Sequence, residues 1–155
     1  KGFGVPGLRT SFGVASDADV FKGVSRELSA CSRPNLFGYT AANVAYTKGD
    51  DWIDQLNGYL ARNAAYVVDF LQTRLASKVS AVLPQATFLM WLDFSGTGLA
   101  HEEIAKRLIE QAKVWMNDGR EFHGDGERHF RLNIACPREM LETVMKRIAS
   151  AFEER

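Results

Sequence analysis

The 155 residues are 46% hydrophobic, 25% charged and 11% aromatic, a length that suits one ordinary domain burying ~70% of its unfolded surface. Nineteen Lys and Arg balance nineteen Asp and Glu, so bulk electrostatics gives no reason for a nucleic-acid or anionic-membrane partner. No apolar run approaches the ~20 residues of a membrane span, no secretory h-region is present, and two cysteines, Cys31 and Cys136, point to reduced thiols in the cytoplasm.

The chain opens on Lys1-Gly2-Phe3-Gly4-Val5-Pro6-Gly7-Leu8-Arg9, a glycine-rich run with the look of an internal loop. The expectation is therefore the C-terminal part of a longer protein. Thr10 to Ala15 alternates briefly and predicts a strand. Ser16 or Asp17 then caps a helix to about Cys31, with Val20, Phe21, Val24 and Leu28 at helical spacing. Asn35-Leu36-Phe37-Gly38 leads into a second helix over Tyr39–Tyr46, stopped at Gly49 in an expected left-handed conformation. Asp50 or Asp51 caps a long helix over residues 51 to 77, whose apolar stripe includes Trp52, Leu56, Leu60, Val67 and Leu71. A helix of that length, ~40 Å, suits a connector between two domains.

Beyond it, Val79–Leu83 and Thr87–Phe94 predict strands, His101–Ala112 a helix, Val114–Met116 a strand, and His129–Ala135 another strand. In the last of these, Phe130, Leu132 and Ile134 alternate with Arg131 and Asn133. A final helix begins at Pro137 and carries Leu141, Val144, Ile148 and Phe152. The tail reads β-β-α-β-β-α.

Four features bear on chemistry. Lys1 on a glycine-rich loop could form an imine with an aldehyde, with Arg9 beside it for a phosphate; on spacing alone a solvated lysine is the plainer reading. Arg131 inside an apolar strand either captures a substrate carboxylate with its planar fork or lies on the wet face; the sequence leaves both open. The segment 121–129, with His123, His129 and three carboxylates, lacks a metal-ligand spacing, so no metal is expected there. Asn35 to Gly38, after Arg33-Pro34, reads as a helix-entry turn.

Taken in order, the opening run, Asn35-Leu36-Phe37-Gly38, Tyr46 to Trp52, Ala86 to Asp93 and Arg131 to Arg138 resemble the C-terminal part of fold-type I pyridoxal-phosphate enzymes, the aspartate aminotransferase superfamily (class I/II). Within it the chain is similar to the cystathionine β-lyase-like C–S lyase branch, and departs from it at Gly4, where that branch usually has Asn. The resemblance covers essentially the whole chain. It implies an α/β fold, the end of a large domain plus a small α/β domain joined by a long helix. Residues 1–65 would close the large cofactor-binding domain and start the connecting helix, and 66–155 would form the small domain.

The resemblance also implies roles. Lys1 would be the catalytic lysine that binds pyridoxal 5'-phosphate, Arg9 would bind the cofactor phosphate, and Arg131 the α-carboxylate of an amino-acid substrate. The implied reaction is C–S β-elimination through an external aldimine and Cα proton abstraction. An aminotransferase of the same fold and a non-catalytic effector domain of a regulator are the alternatives. A homodimer is implied, with no nucleic-acid or membrane partner, and the fragment alone would be inactive.

Overall fold

The computed structural model describes residues 2–31, 35–122 and 124–153. The chain folds as two compact units, Lys1–Leu56 and Asn57–Arg155. The mixed α/β composition is the one the sequence predicts.

The first unit is helical. A short 3-10 turn at Pro6–Leu8 ends on Arg9 in the left-handed region, with φ 47° and ψ 39°. Residues 10–15, expected as a strand, form none. A strand exists only where a neighbour supplies N–H and C=O groups, and the described elements of this unit are helices. Helix α1, Ala18–Cys31, follows. The Asp17 carboxylate caps it, accepting from the N–H groups of Asp19 and Val20 at 2.9 and 2.8 Å.

Helix α2, Leu36–Lys48, starts three residues earlier than its apolar periodicity predicts. The reason is Asn35, whose side chain accepts from the Gly38 N–H at 2.7 Å and donates to the Leu8 carbonyl at 2.7 Å. One amide thus satisfies a helix donor and ties the turn before Arg9 to the helix. Gly38 is buried against Thr10 and the Leu8 carbonyl, where a Cβ has no room. Gly49 ends α2 with φ −100°, so the expected left-handed stop is not what forms. A Cβ there would instead strike the Ala45 carbonyl and the Phe3 ring.

Helix α3, Asp50–Arg74, runs 25 residues, or ~38 Å, and the boundary between the two units falls inside it. In the second unit its Leu60, Ala64, Val67 and Leu71 are buried. The elements after it are β1 (Ser80–Ala81), β2 (Leu89–Asp93), α4 (His101–Glu110), β3 (Asn117–Asp118), β4 (His129–Asn133) and α5 (Arg138–Phe152). Their order is the β-β-α-β-β-α read from the sequence. The sheet order is β1-β2-β4-β3, with antiparallel neighbours throughout.

Strand alternation decides which face is dry. Met90, Leu92, Phe130 and Leu132 are buried, and with Phe94 and Ile134 they meet Ile104 and Leu108 of α4 and Leu141, Met145, Ile148 and Phe152 of α5 in one core. At its centre Phe94 packs against Phe130 and Phe152, with ring centroids 5.7 and 5.0 Å away. The third strand forms at Asn117–Asp118, not at the apolar Val114–Met116, and Trp115 stays 87% exposed. An edge strand tolerates polar residues, and here they hold specific partners.

Helix α5 has an unusual start. Pro137 provides no side-chain cap. The Arg138 N–H donates to the Tyr59 hydroxyl of α3 at 2.8 Å, and that hydroxyl donates to the Cys136 carbonyl at 3.3 Å. Asn63, fully buried, donates to the carbonyls of Ile134 and Cys136 at 2.9 and 3.2 Å.

Candidate functional site

Register builds the site around Arg131. It pairs with Trp91 of β2 on one side and Asn117 of β3 on the other, so all three side chains share the face opposite the core. Its Nη2 donates to Asn117 Oδ1 at 3.0 Å, and its guanidinium lies over the Phe122 ring, 4.4 Å from the centroid. Phe122 in turn meets Trp91 edge-on, with centroids 5.2 Å apart. Nε is buried and has no hydrogen-bond partner among the described residues. A guanidinium held on two sides with a dry, unsatisfied N–H fits a planar anion such as a carboxylate.

The segment that brings Phe122 to Arg131 closes on itself. Gly119 and Gly126 stack backbone against backbone, and a Cβ on either would meet the other's carbonyl. The Phe122 N–H donates to Gly119 O and the His129 N–H to Gly126 O, both at 3.1 Å. Asp118 anchors the start. Its carboxylate accepts from the Arg120 backbone at 2.8 Å and from the Arg120 guanidinium at 3.0 Å, while Arg120 Nη1 also reaches Glu102 at 2.6 Å. Burial alone would raise the Asp118 carboxyl, but hydrogen bonds from Arg120 and the close His101 ring outweigh it and hold the group down to about 2.

Arg9 is exposed, follows the glycine-rich turn, and its side chain meets no hydrogen-bond or ion-pair partner among the described residues. Such an exposed guanidinium is a donor that fits a phosphate. Arg9 belongs to the first unit and Arg131 to the second. Lys1 lies outside the described residues, as do Arg33, Pro34 and His123. In the segment 121–129, His129 Nδ1 sits 2.7 Å from the Glu127 carbonyl, and Asp125 accepts from the Glu127 N–H at 3.3 Å. Among the described residues no three His, Cys, Asp or Glu side chains converge as a metal site would need. No helix among them is long and apolar enough to cross a membrane.

Sequence reading missed Asn117 and Phe122, because both reach Arg131 through strand pairing and loop closure and not through spacing along the chain. Trp91 was legible as a strand residue, but only the register sets it beside Arg131.

This fold and site have known counterparts. The chain belongs to the aminotransferase class I and II family, whose family model matches residues 1–148. It is 37% identical over 118 residues to cystathionine beta-lyase PatB of Bacillus subtilis (strain 168), covering 76% of this chain and 30% of that protein. To a cystathionine beta-lyase of Corynebacterium glutamicum it is 40% identical over 118 residues, covering 76% of this chain and 31% of the relative. Among solved structures it resembles the PLP-bound C-S lyase from Staphylococcus hominis, with a TM-score of 0.83 and 30% identity over 99% of this chain and 39% of that one. The chain thus spans roughly a third of the length of these relatives.

Proposed function

We propose that this chain is the C-terminal portion of a pyridoxal 5'-phosphate enzyme that cleaves the Cβ–S bond of an amino acid. The observation that carries the reading is Arg131, whose buried Nε has no acceptor among the described residues, in a family member similar to two cystathionine beta-lyases. In the proposal Arg131 grips the α-carboxylate with its fork and so fixes which Cα bond faces the cofactor. Arg9 neutralises the cofactor phosphate. Lys1 holds the cofactor covalently, and its freed Nζ takes the proton from Cα. Bound pyridoxal phosphate supplies an electron sink that stabilises the carbanion formed at Cα. Loss of a thiolate from Cβ then leaves the enamine of pyruvate, which takes up water to give pyruvate and ammonia. The family description favours a second reading, amino-group transfer with the same Lys1 and Arg131.

The domain reading goes with it: residues 1–65 end the large cofactor-binding domain and enter the connecting helix, and 66–155 form the small domain. A homodimer in the cytoplasm is part of the proposal. The dimer is what the resemblance to the aspartate aminotransferase superfamily implies.

The test uses the full-length protein mixed with pyridoxal phosphate. A visible absorption band that disappears in Lys1→Ala, together with pyruvate release from L-cystathionine, is the expected result. A band with keto-acid formation and no pyruvate favours transfer. With no band at all, the protein is a non-catalytic effector domain.

A further inference from the structure

His101, the first residue of α4, is 2% exposed and takes no part in the roles described so far. Its ring stacks on Phe130 with centroids 4.7 Å apart. Nδ1 accepts the backbone N–H of Arg128 at 2.9 Å. An accepting Nδ1 carries no proton, so the ring is neutral with its hydrogen on Nε2. Nε2 faces Asp118 Oδ1 at 3.0 Å, off the line of a well-directed hydrogen bond. One side chain therefore touches both strands that build the Arg131 site: Asp118 follows Asn117 on β3, and Arg128 leads into β4.

The Arg128 contact is the sensitive one. Arg128 has φ 60°, an unfavourable left-handed conformation for a residue with a Cβ. Two backbone hydrogen bonds hold it there, its N–H to His101 and its C=O from the Phe94 N–H at 2.9 Å. A proton added to His101 Nδ1 would face the Arg128 N–H donor to donor and remove the first of these. The charged groups facing the ring are Asp118 from β3 and Glu127, whose Oε2 lies 3.6 Å from Nδ1; Arg120 stands one contact further out, on Asp118, and Glu102 beyond it, on Arg120. Glu127 offers a protonated Nδ1 another acceptor, which would turn the ring's allegiance from the backbone of Arg128 to a side chain on the same turn.

We propose that His101 is a positioning residue for Arg131: the neutral ring clamps Asp118 and Arg128, and through them the Asn117 and Phe122 contacts that orient the guanidinium. Protonation opens the clamp and weakens carboxylate binding. This rests on the reading of Arg131 as the carboxylate site.

The experiment takes the cofactor-loaded full-length protein between about pH 8 and about pH 5. KM and kcat for an amino-acid substrate are measured alongside amide exchange of residues 124–130, corrected for the intrinsic effect of pH. KM is expected to rise about tenfold on the acid side, the worth of a buried hydrogen bond, while the Arg128 amide loses protection over the same range. His101→Asn, whose amide oxygen can accept at the Nδ1 position without titrating, flattens both changes. His101→Gln, which lacks that acceptor, raises KM at every pH. Exchange at Arg128 that ignores pH overturns the proposal by itself, as does an acid rise in KM that survives in His101→Asn. If Arg128 opens in acid but neither acid nor Arg131→Lys alters KM, the carboxylate reading fails, and the proposal with it.

Discussion

Arg131 is gripped by an amide oxygen and an aromatic face, and both contacts depend on a flat, wide cation. Lysine offers neither a planar fork nor a stacking surface. Arg131→Lys is therefore expected to raise KM for amino acids about tenfold or more with a smaller effect on kcat, read from steady-state kinetics across substrate concentrations. Asp118 makes a different prediction. Burial pushes its carboxyl up, the Arg120 and His101 contacts pull it further down, and it ends at about 2 against ~3.9 in an unfolded chain. A depressed carboxyl contributes stability fully above the unfolded value and loses it as pH falls through the folded one. Between about pH 4 and about pH 2 the stability gap between the wild type and Asp118→Asn should thus shrink. Acid unfolding of the two proteins side by side measures it; a gap that widens in acid would contradict the assignment. Arg131 was already a candidate in the sequence, but the contacts that hold it and the Asp118 pair were not. His101 there is only a helix residue, and Asp118 one acid among nineteen.

The helices and the tail topology were legible because they rest on local causes. Asp17 caps α1 through its own neighbours, and the alternation of Phe130, Leu132 and Ile134 set the dry face of β4 before any partner strand was known. The misreadings fall where the deciding partner is distant. Asn35 starts α2 early because it also serves Leu8, 27 positions away, and β3 forms where Asn117 and Asp118 find Arg131 and His101. The junction of α3 with the end of β4 is of the same kind. Asn63→Ala would leave the buried Ile134 carbonyl without its donor and the Cys136 carbonyl with the Tyr59 hydroxyl alone, an expected loss of about 1–3 kcal/mol. Denaturant unfolding followed by a probe in the second unit checks this; a loss below a few tenths of a kcal/mol would show that water replaces the amide.

Across the whole molecule, the two units differ in how well they enclose their apolar residues. The second buries its stripes, whereas Val20, Phe21, Val24 and Leu28 of α1 remain more than half exposed. Amphipathic helices keep such a face for another surface, and in a chain spanning roughly a third of its relatives that surface belongs to the rest of the protein or to a partner. For the full-length protein the expected outcome is a dimer by light scattering, with Phe37→Asp shifting the mass towards the monomer. An active monomer in the unaltered protein would contradict the proposed assembly.

The cap that α5 borrows from Tyr59 has a consequence for how the second unit comes into being. That bond joins residues 79 positions apart, and β2 has only the two-residue β1 for company until β4 arrives to fill the place beside it. Few contacts in this sheet can therefore form early, and folding must await long-range pairings that are slow to find. During synthesis, the apolar Leu89–Leu92 edge emerges well before its main neighbour does. In that interval it is an open strand edge in search of a partner, and the nascent chain is at its most prone to aggregate, or to need a chaperone, while β4 is still being made.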